Sequence, residues 1–211
     1  MPINVEWLLR IEREQRRNRV FRGLSETYVS GEGGNDPIAF IVGEAPGAME
    51  ETIGRPFVGP SGQVLRKLMA GAGLWATNTY DSKLLEIAPT TDGVIPANCW
   101  LTNVLKFRPP GNRTPTPIEI RACRPYLRKE WNAVGSPTLV IVIGATAYRA
   151  ITGKVRSILL ESGKPHSFIS SGGSEVTLWP MIHPSFGLRN RHVRSLIEAD
   201  WEILTAWMEQ Q

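Results

Sequence analysis

The sequence has little cysteine and no long apolar segment, and each scarcity excludes a class of protein. Its two cysteines, Cys99 and Cys123, cannot form a disulfide framework or supply the four ligands of an iron–sulfur or zinc site. The longest apolar runs, such as 138–143, are far shorter than the roughly 20 residues that a membrane span needs. The first residues lack the basic segment and apolar core of a secretory signal. We therefore expect a cytoplasmic protein without a membrane segment or a bound metal.

The composition is that of a globular protein with an excess of positive charge. Hydrophobic residues make up 42% and charged residues 21% of the 211 residues, and this length favours a single domain over 1–211. The net charge is +4, and arginine supplies 18 of the 24 basic residues. Because arginine forms bidentate contacts with phosphate, this bias favours a nucleic-acid partner. An enzyme whose basic surface is merely solvated explains the charge equally well.

Short apolar runs alternate with helical patterns along the chain. Buried strands are predicted at 38–43, 99–105, 138–143 and 176–182. Helices are predicted at 5–21, 60–73, 116–134, 144–152 and 192–209. This alternation predicts an α/β fold with a parallel sheet covered on both faces. Outside it lie an N-terminal helical extension, 1–30, and a polar inserted loop, 75–98, which is long for a connection in a compact domain.

Polar residues directly follow three of the predicted strands. Glu44 comes after the first strand, Asn103 lies near the end of the second, and His183 comes after the fourth. Because parallel strands end at one edge of a sheet, we expect these three side chains and the nearby ring of Phe57 to share a crevice. An amide can pair with the edge of a heterocycle, a ring can stack on its face, and an imidazole can donate to an oxygen that gains charge. The set is suited to a flat, polar base.

Each of these residues also has an ordinary structural interpretation when it is taken alone. A strand asparagine commonly anchors a loop, a histidine before proline is commonly structural, and a buried phenylalanine commonly belongs to the core. The glycine-rich segment 43–47 is by itself a weak turn-forming motif. The order of all four at the ends of predicted strands favours a site.

At these residues the chain resembles the uracil-DNA glycosylase superfamily, and within it family 4. The resemblance covers about residues 28–190 and rests on the segments GEAPG followed by Glu50, GRPFVGPSG, LTNVLKFRPPGNRTPTPxEIxxCRPYL, VIGATA and HPSxxLR. It implies a three-layer α/β/α fold around a central four-stranded parallel sheet. It also implies a monofunctional DNA glycosylase, which hydrolyses the bond between a flipped-out pyrimidine and deoxyribose without a metal.

The resemblance implies a role for each site residue. Phe57 would stack on the base, with Asn103 reading its edge and Gly43 and Ala45 lining the same pocket. His183 would face the base oxygen that becomes anionic, and Glu44 and Glu50 would position water or stabilise the sugar cation. The residues implied in DNA binding are Ser61 and Ser185 near the phosphates and Leu188 and Arg189 in the loop that fills the duplex gap. Apart from the resemblance, Arg191 is expected to hold phosphate because it stands at the start of the last helix.

The chain departs from the family pattern in four features. Phe107 stands at the third cysteine position of the family's iron–sulfur cluster, and Arg16 and Arg19 stand about where the first two cysteines would be, so we expect no cluster and no other cofactor. Ala45 stands where family 1 has an aspartate. Gly187 replaces a larger apolar residue in the gap-filling loop, which suggests a wider pocket mouth or a looser loop. The 75–98 loop is longer than the family pattern.

Three functions remain open from the sequence. The first is excision of uracil, as repair of deaminated cytosine. The second is excision of a modified pyrimidine by the same fold, for example glucosylated hydroxymethylcytosine in viral DNA, as antiviral defence. The third is a non-catalytic relative that only binds nucleic acid, although the joint presence of Glu44, Asn103 and His183 argues against it. We expect DNA as the partner, no contact with a membrane and a monomer.

Overall fold

A mixed sheet forms the centre of the computed structural model, which describes residues 5–34, 36–75, 77–78, 95–96, 98–170 and 173–210. The strands are β1 Glu32–Gly33, β2 Ala39–Gly43, β3 Thr77–Asn78, β4 Ile95–Pro96, β5 Cys99–Asn103, β6 Leu139–Ile143, β7 His166–Ile169 and β8 Glu175–Met181. Six of them form one sheet in the order β1-β5-β2-β6-β8-β7, and β3 pairs with β4 in a separate two-stranded sheet. Strands β5, β2, β6 and β8 are parallel, which confirms the predicted central sheet.

The two edge strands of this sheet were not predicted from the sequence. Strand β1 pairs antiparallel with β5, and β7 pairs antiparallel with β8. Neither carries a continuous apolar run, because β1 has two residues and β7 alternates between half-buried and exposed positions. Pro180 lies in β8 beyond the last residue that pairs with β7, so the missing N–H of the proline costs no bond to that strand.

Helices cover both faces of the sheet. They are α1 Val5–Arg17, α2 Ala48–Ile53, α3 Pro60–Gly71, α4 Pro117–Ala133, α5 Ala145–Thr152, α6 Ile158–Glu161, α7 Pro184–Gly187 and α8 Arg191–Met208. One core contains Phe40, Val42 and residues of α4 and α5, and the other contains Ile41, Leu65 of α3 and Trp201 of α8. These two cores, one on each face, complete the predicted α/β/α layers. No helix of the described residues is long and apolar enough to cross a membrane.

Local signals explain where two of the helices begin and end. Helix α4 begins after Thr116, whose hydroxyl accepts from Glu119 N while the Glu119 carboxylate accepts from Thr116 N, a reciprocal capping box. The first helix ends at Arg17 and not at residue 21 as predicted, because Asn18 caps a separate 3-10 turn at Arg19–Phe21. The arginines at this end lie on both sides of that break.

Only the base of the predicted loop 75–98 can be described. Thr77 pairs with Pro96 and Asn78 with Ile95, so the segment leaves and returns through a short antiparallel ladder. Residues 79–94 lie outside the described residues, and the prediction of an inserted loop stays a prediction there.

Candidate active site

The ends of the parallel strands bring the predicted site residues to one edge of the sheet. Gly43 and Asn103 are paired neighbours at the ends of β2 and β5. The pairing continues past the strands, because Leu105 N donates to Glu44 O at 3.1 Å. His183 follows the end of β8 at the same edge. The edge predicted from the order of strands therefore carries all three polar residues.

Gly43 allows an aromatic ring and an amide to approach each other. A Cβ atom on Gly43 would clash with the ring of Phe57 and would lie 2.6 Å from Asn103 Oδ1. Phe57 is 5% exposed and Asn103 is 4% exposed, so both side chains are held inside the protein. A flat apolar face and a hydrogen-bonding amide thus border the same small space. Together they can stack on a heterocycle and pair with its edge.

Phe57 adopts an uncommon backbone conformation at this position. Its φ is +54°, in the left-handed region that aromatic residues rarely occupy. Gly62, in the first turn of α3, packs directly on the Phe57 backbone, and a Cβ there would overlap the Phe57 carbonyl group. Gly62, the last residue of the GRPFVGPSG segment, therefore makes room for the strained turn that presents the ring.

His183 is held as a neutral imidazole with one defined tautomer. Its Nδ1 accepts a hydrogen bond from Ser185 N at 3.2 Å and lies 2.8 Å from Ser185 Oγ. Burial lowers the pKa of His183 to about 4, and the Glu50 carboxylate opposes only part of that effect. Since Nδ1 is an acceptor in a neutral ring, Nε2 carries the proton. The ring lies 6.5 Å from the Phe57 ring, centroid to centroid, at an angle of 29°.

Glu44 is oriented by a threonine that the sequence did not point to. Thr146 Oγ1, in the first turn of α5, donates to Glu44 Oε2 at 2.5 Å. Thr146 is buried and Glu44 is half-buried. The hydroxyl of Thr146 therefore holds Oε2 of Glu44, and this hydrogen bond also determines the direction in which Oε1 points.

Glu50 forms hydrogen bonds with two loops beside the site. Its two carboxylate oxygens accept from Gly59 N at 2.8 Å and from Gly47 N at 3.1 Å. It therefore links the start of α2 to the start of α3, the two turns on either side of Phe57. These two hydrogen bonds account for the burial of Glu50, and a substrate is not needed to explain it. The catalytic role of Glu50 stays a prediction.

The residues predicted to contact DNA lie around this edge in different environments. Ser61 is in the first turn of α3, Arg191 is the first residue of α8, and Arg189 precedes it on the surface. Leu188 is 52% exposed, so its side chain is accessible from outside the protein. Ser185 instead contacts His183, as described above.

Gly187 tightens the gap-filling loop and does not loosen it. A Cβ on Gly187 would lie 3.1 Å from Ile197 Cδ1 and 3.2 Å from Arg194 Cα, so the loop packs closely on α8. The suggestion of a looser loop was therefore wrong. Ala45 lies half-buried against the core on the α4 face, beside the predicted pocket.

An aromatic cluster surrounds Phe107, the residue at the third cysteine position that the resemblance implies. Phe107 lies 5.4 Å from Tyr28 and 6.1 Å from Phe21, and the Arg16 guanidinium lies 5.5 Å above its ring. Tyr126 lies 6.4 Å from Phe21. We call Phe21, Tyr28, Phe107 and Tyr126 the aromatic cluster. None of these four side chains is a thiol, the ligand type that holds an iron–sulfur cluster.

The two cysteines are too separate to complete such a site. Cys123 packs in the core on the α4 face, and Cys99 packs in the core on the α3 and α8 face. Burial raises the pKa of Cys123 to about 12 and raises that of Cys99 as well, so both are neutral thiols. In the described part of the chain, no three metal-binding side chains cluster together. The residues present do not fit an iron–sulfur cluster.

Comparison with known proteins identifies the family. The model of the uracil DNA glycosylase superfamily matches residues 30–209. The type-4 uracil-DNA glycosylase of Thermotoga maritima is 34% identical over 87% of this chain and 84% of that protein. The type-4 enzyme of Saccharolobus solfataricus is 31% identical over 82% of this chain and 72% of its own length. The type-5 enzyme of Mycobacterium tuberculosis is 32% identical over 74% of this chain and 57% of its own length.

These matches confirm what the resemblance implied about fold and enzyme class. The three-layer α/β/α architecture and the class of DNA glycosylase both agree with the family. The type-4 relatives agree with the resemblance to family 4, and the low cysteine count agrees with a member that lacks the cluster cysteines. The chain belongs to the uracil DNA glycosylase superfamily.

Proposed function

We propose that this protein hydrolyses the N-glycosidic bond of uracil in DNA and leaves an abasic site. The observation that carries the proposal is the juxtaposition of Phe57 and Asn103 against Gly43, beside a neutral His183. The names of the type-4 relatives, at 31–34% identity over most of the chain, support uracil as the base.

The base must leave the duplex to reach this space, since a stacked base is inaccessible. Uracil would then lie on the Phe57 ring, with its edge toward the Asn103 amide. The amide can present its oxygen or its NH₂ group to the ring, so it can pair with uracil or, after rotation, with a cytosine-like edge. Selection of uracil over cytosine therefore depends on what fixes the amide orientation.

His183 supplies the hydrogen bond that strengthens as the base leaves. When the C1′–N bond breaks, its electron pair stays with the base and negative charge develops on a carbonyl oxygen of the base. The Nε2–H of a neutral imidazole can donate to that oxygen without transferring its proton. A neutral donor matches this task because the pKa of His183, about 4, keeps the ring uncharged at physiological pH.

Glu44 acts on the other half of the scissile bond. Loss of the base leaves positive charge on the sugar, which an ionised carboxylate stabilises. A water oxygen then bonds to C1′, and the water proton is released to the departed base. Thr146 fixes one oxygen of Glu44, so the second oxygen is left for the sugar or the water. Glu50 supports this geometry from behind, through Gly47 and Gly59.

The surface around the site suits duplex DNA. Free N–H groups in the first turn of α3, near Ser61, and the side chains of Arg189 and Arg191 are suitable phosphate contacts. The exposed Leu188 would enter the gap left by the flipped base.

The test uses one set of duplex and single-stranded oligonucleotides. Each carries one uracil, cytosine, hydroxymethylcytosine or glucosylated hydroxymethylcytosine, and abasic sites are cleaved with alkali after incubation. Strand breakage at uracil alone is the expected result. Breakage only at a modified cytosine would replace the proposal with the antiviral function. Binding of all oligonucleotides without breakage would indicate a non-catalytic relative.

Three predictions about the whole protein accompany this proposal. We propose that residues 1–211 act as one domain, that the chain is a monomer and that it acts in the cytoplasm. Light scattering during size-exclusion chromatography measures the mass of the particle, and about twice the 23.4 kDa of one chain would contradict the monomer.

A further inference from the structure

A buried arginine holds the turn that presents Phe57. Arg66, in the middle of α3, donates from Nε to Phe57 O at 2.9 Å and from an NH₂ group to Pro56 O at 3.1 Å. The same NH₂ group lies 3.2 Å from Glu32 Oε1, and Arg66 is only 8% exposed. The guanidinium also lies 4.7 Å above the ring of Trp75. Two carbonyl groups in succession thus point at one cation.

Glu32 fixes the arginine from the edge of the sheet. Its carboxylate also accepts from Arg55, from Nε at 2.6 Å and from an NH₂ group at 3.2 Å. Both arginine side chains and the glutamate are largely buried at this contact. Arg55 directly precedes the turn at Pro56 and Phe57. The Glu32 carboxylate therefore binds the residue before this turn and, through Arg66, the carbonyl groups of the turn itself.

This network connects the two groups proposed to contact the base. Glu32 lies in β1 and pairs with Leu101 of β5, and β5 ends two residues later at Asn103. The turn held by Arg66 carries Phe57. The ion-paired group of Glu32 and Arg66 therefore connects the strand that carries Asn103 to the turn that carries Phe57, and it can set the distance between the ring and the amide.

The backbone conformation of Phe57 needs the support of this network. With φ at +54°, the residue occupies a conformation that an aromatic side chain does not favour by itself. Carbonyl groups that accept from a fixed guanidinium hold the turn in this conformation. Without them the turn can relax, and the ring then leaves its contact with Gly43.

We propose that Arg66, held by Glu32, is a positioning residue that sets the Phe57 ring as the stacking face for the target base. The proposal rests on the proposed function of the site. Arg66 does not touch the base; it acts through the backbone of Phe57.

Two substitutions and one matched control test it. Arg66→Met keeps an unbranched, apolar stem and removes every donor, and Glu32→Gln keeps the shape and removes the charge. The control is Arg124→Met, because Arg124 also donates to two backbone carbonyls, Ala150 O at 2.7 Å and Arg149 O at 3.0 Å, at the end of α5 away from the site.

Single-turnover excision of uracil separates positioning from stability. We expect Arg66→Met to lower the rate at saturating enzyme by about 10- to 100-fold and Glu32→Gln by less, while binding to a uracil-free duplex is unchanged. Arg124→Met should keep the wild-type rate at a temperature where it is folded. Equal rates for all folded variants would overturn the proposal.

A double-substitution cycle shows whether the effect passes through Phe57. Once Phe57→Ala has removed the ring, adding Arg66→Met should not slow excision further. If the two losses multiply, Arg66 acts on the reaction by another route and the proposal is wrong.

A readout without catalysis keeps this test separate from the proposed function. The protein is labelled with 4-fluorophenylalanine, and the fluorine NMR signal of Phe57 is assigned by its loss in Phe57→Leu. Arg66→Met and Glu32→Gln should shift or broaden that signal, and Arg124→Met should leave it in place. If wild type excises no base, the proposed function fails while this spectrum still decides the role of Arg66. An unchanged Phe57 signal in folded Arg66→Met would overturn the positioning role, and if Arg66→Met does not fold, Glu32→Gln decides.

Discussion

The crevice and the aromatic cluster differ in what each region has kept of the family pattern. The crevice keeps Gly43, Phe57, Asn103 and His183. Gly43 lies directly against Phe57 and Asn103, and the rings of Phe57 and His183 are 6.5 Å apart. The aromatic cluster, on the α4 face of the sheet, has Phe107 where the resemblance expects a cysteine. A reaction needs particular donors at particular positions, whereas packing tolerates any set of side chains that fills the space.

The two regions therefore differ in what a substitution should change. Truncation in the aromatic cluster removes buried area and leaves a cavity, which lowers the free energy of unfolding. Truncation of Asn103 or His183 in the crevice removes a hydrogen bond to the substrate, so it should lower the rate and leave the free protein stable.

The largest effect is expected from Phe107→Ala. Phe107 is 3% exposed and contacts two rings and a guanidinium, so its removal should lower the free energy of unfolding by about 3–5 kcal/mol. Urea denaturation measures the change, with Ile169→Ala as a control because Ile169 is 60% exposed. The folded variant should excise uracil at the wild-type rate. A slower folded variant would contradict the separation of the two regions.

His183→Ala should give the largest loss of rate. Removal of one preorganised donor to a developing oxyanion typically lowers the rate by about 100- to 1000-fold. Single-turnover excision measures this loss, and binding to a uracil-free duplex should not change. His192→Ala is the control, since His192 is exposed in the first turn of α8. Wild-type cleavage by His183→Ala would remove this residue from the mechanism.

Asn103→Ala should have a smaller effect that depends on the base. An unpaired edge of a buried base costs about 1–3 kcal/mol, which corresponds to roughly 5- to 150-fold in rate. The melting temperature should change little, because no described side chain forms a hydrogen bond with the amide in this structure. Asn132→Ala, at an exposed position of α4, is the control. A variant that unfolds would show that Asn103 supports the fold and not the base.

The sequence predicted the strands and the polar residues at their ends, because both follow from local patterns. Runs of apolar residues mark β2, β5, β6 and β8, and in a parallel sheet the residue after each run lies at one edge. The pairing of Thr146 with Glu44 could not be predicted, since it depends on the direction of two side chains from different elements. The same holds for Glu32 and Arg66, which are 34 residues apart. Edge strand β7 was missed because half of its residues are polar or exposed.

Removal of the two surface arginines should weaken binding to any DNA without affecting the choice of base. Each phosphate contact contributes about 0.9 to the slope of log affinity against log salt on duplex DNA. Arg189→Gln with Arg191→Gln should therefore lower the magnitude of the slope by about 2. The control pair is Arg121→Gln with Arg128→Gln, exposed on α4 and away from the crevice. The same loss of slope in both pairs would show a diffuse basic surface and no defined docking face.

The smallest effect is expected from pH, and it distinguishes a neutral histidine from a charged one. Burial holds the pKa of His183 near 4 in the folded protein, below its ordinary value of 6.5, so the ring stays neutral from pH 8 down to pH 5. The contribution of His183 to the rate should therefore be constant over that range. The unfolded chain takes up a proton below about pH 6.5 and the folded protein does not until about pH 4, so this residue lowers stability progressively as the pH falls between those values. Single-turnover rates from pH 4 to 8, with circular dichroism to confirm folding at each pH, measure both effects. A rate that falls as the pH rises through 6.5 in wild type but not in His183→Ala would show that the charged ring is the active donor and would contradict the neutral donor.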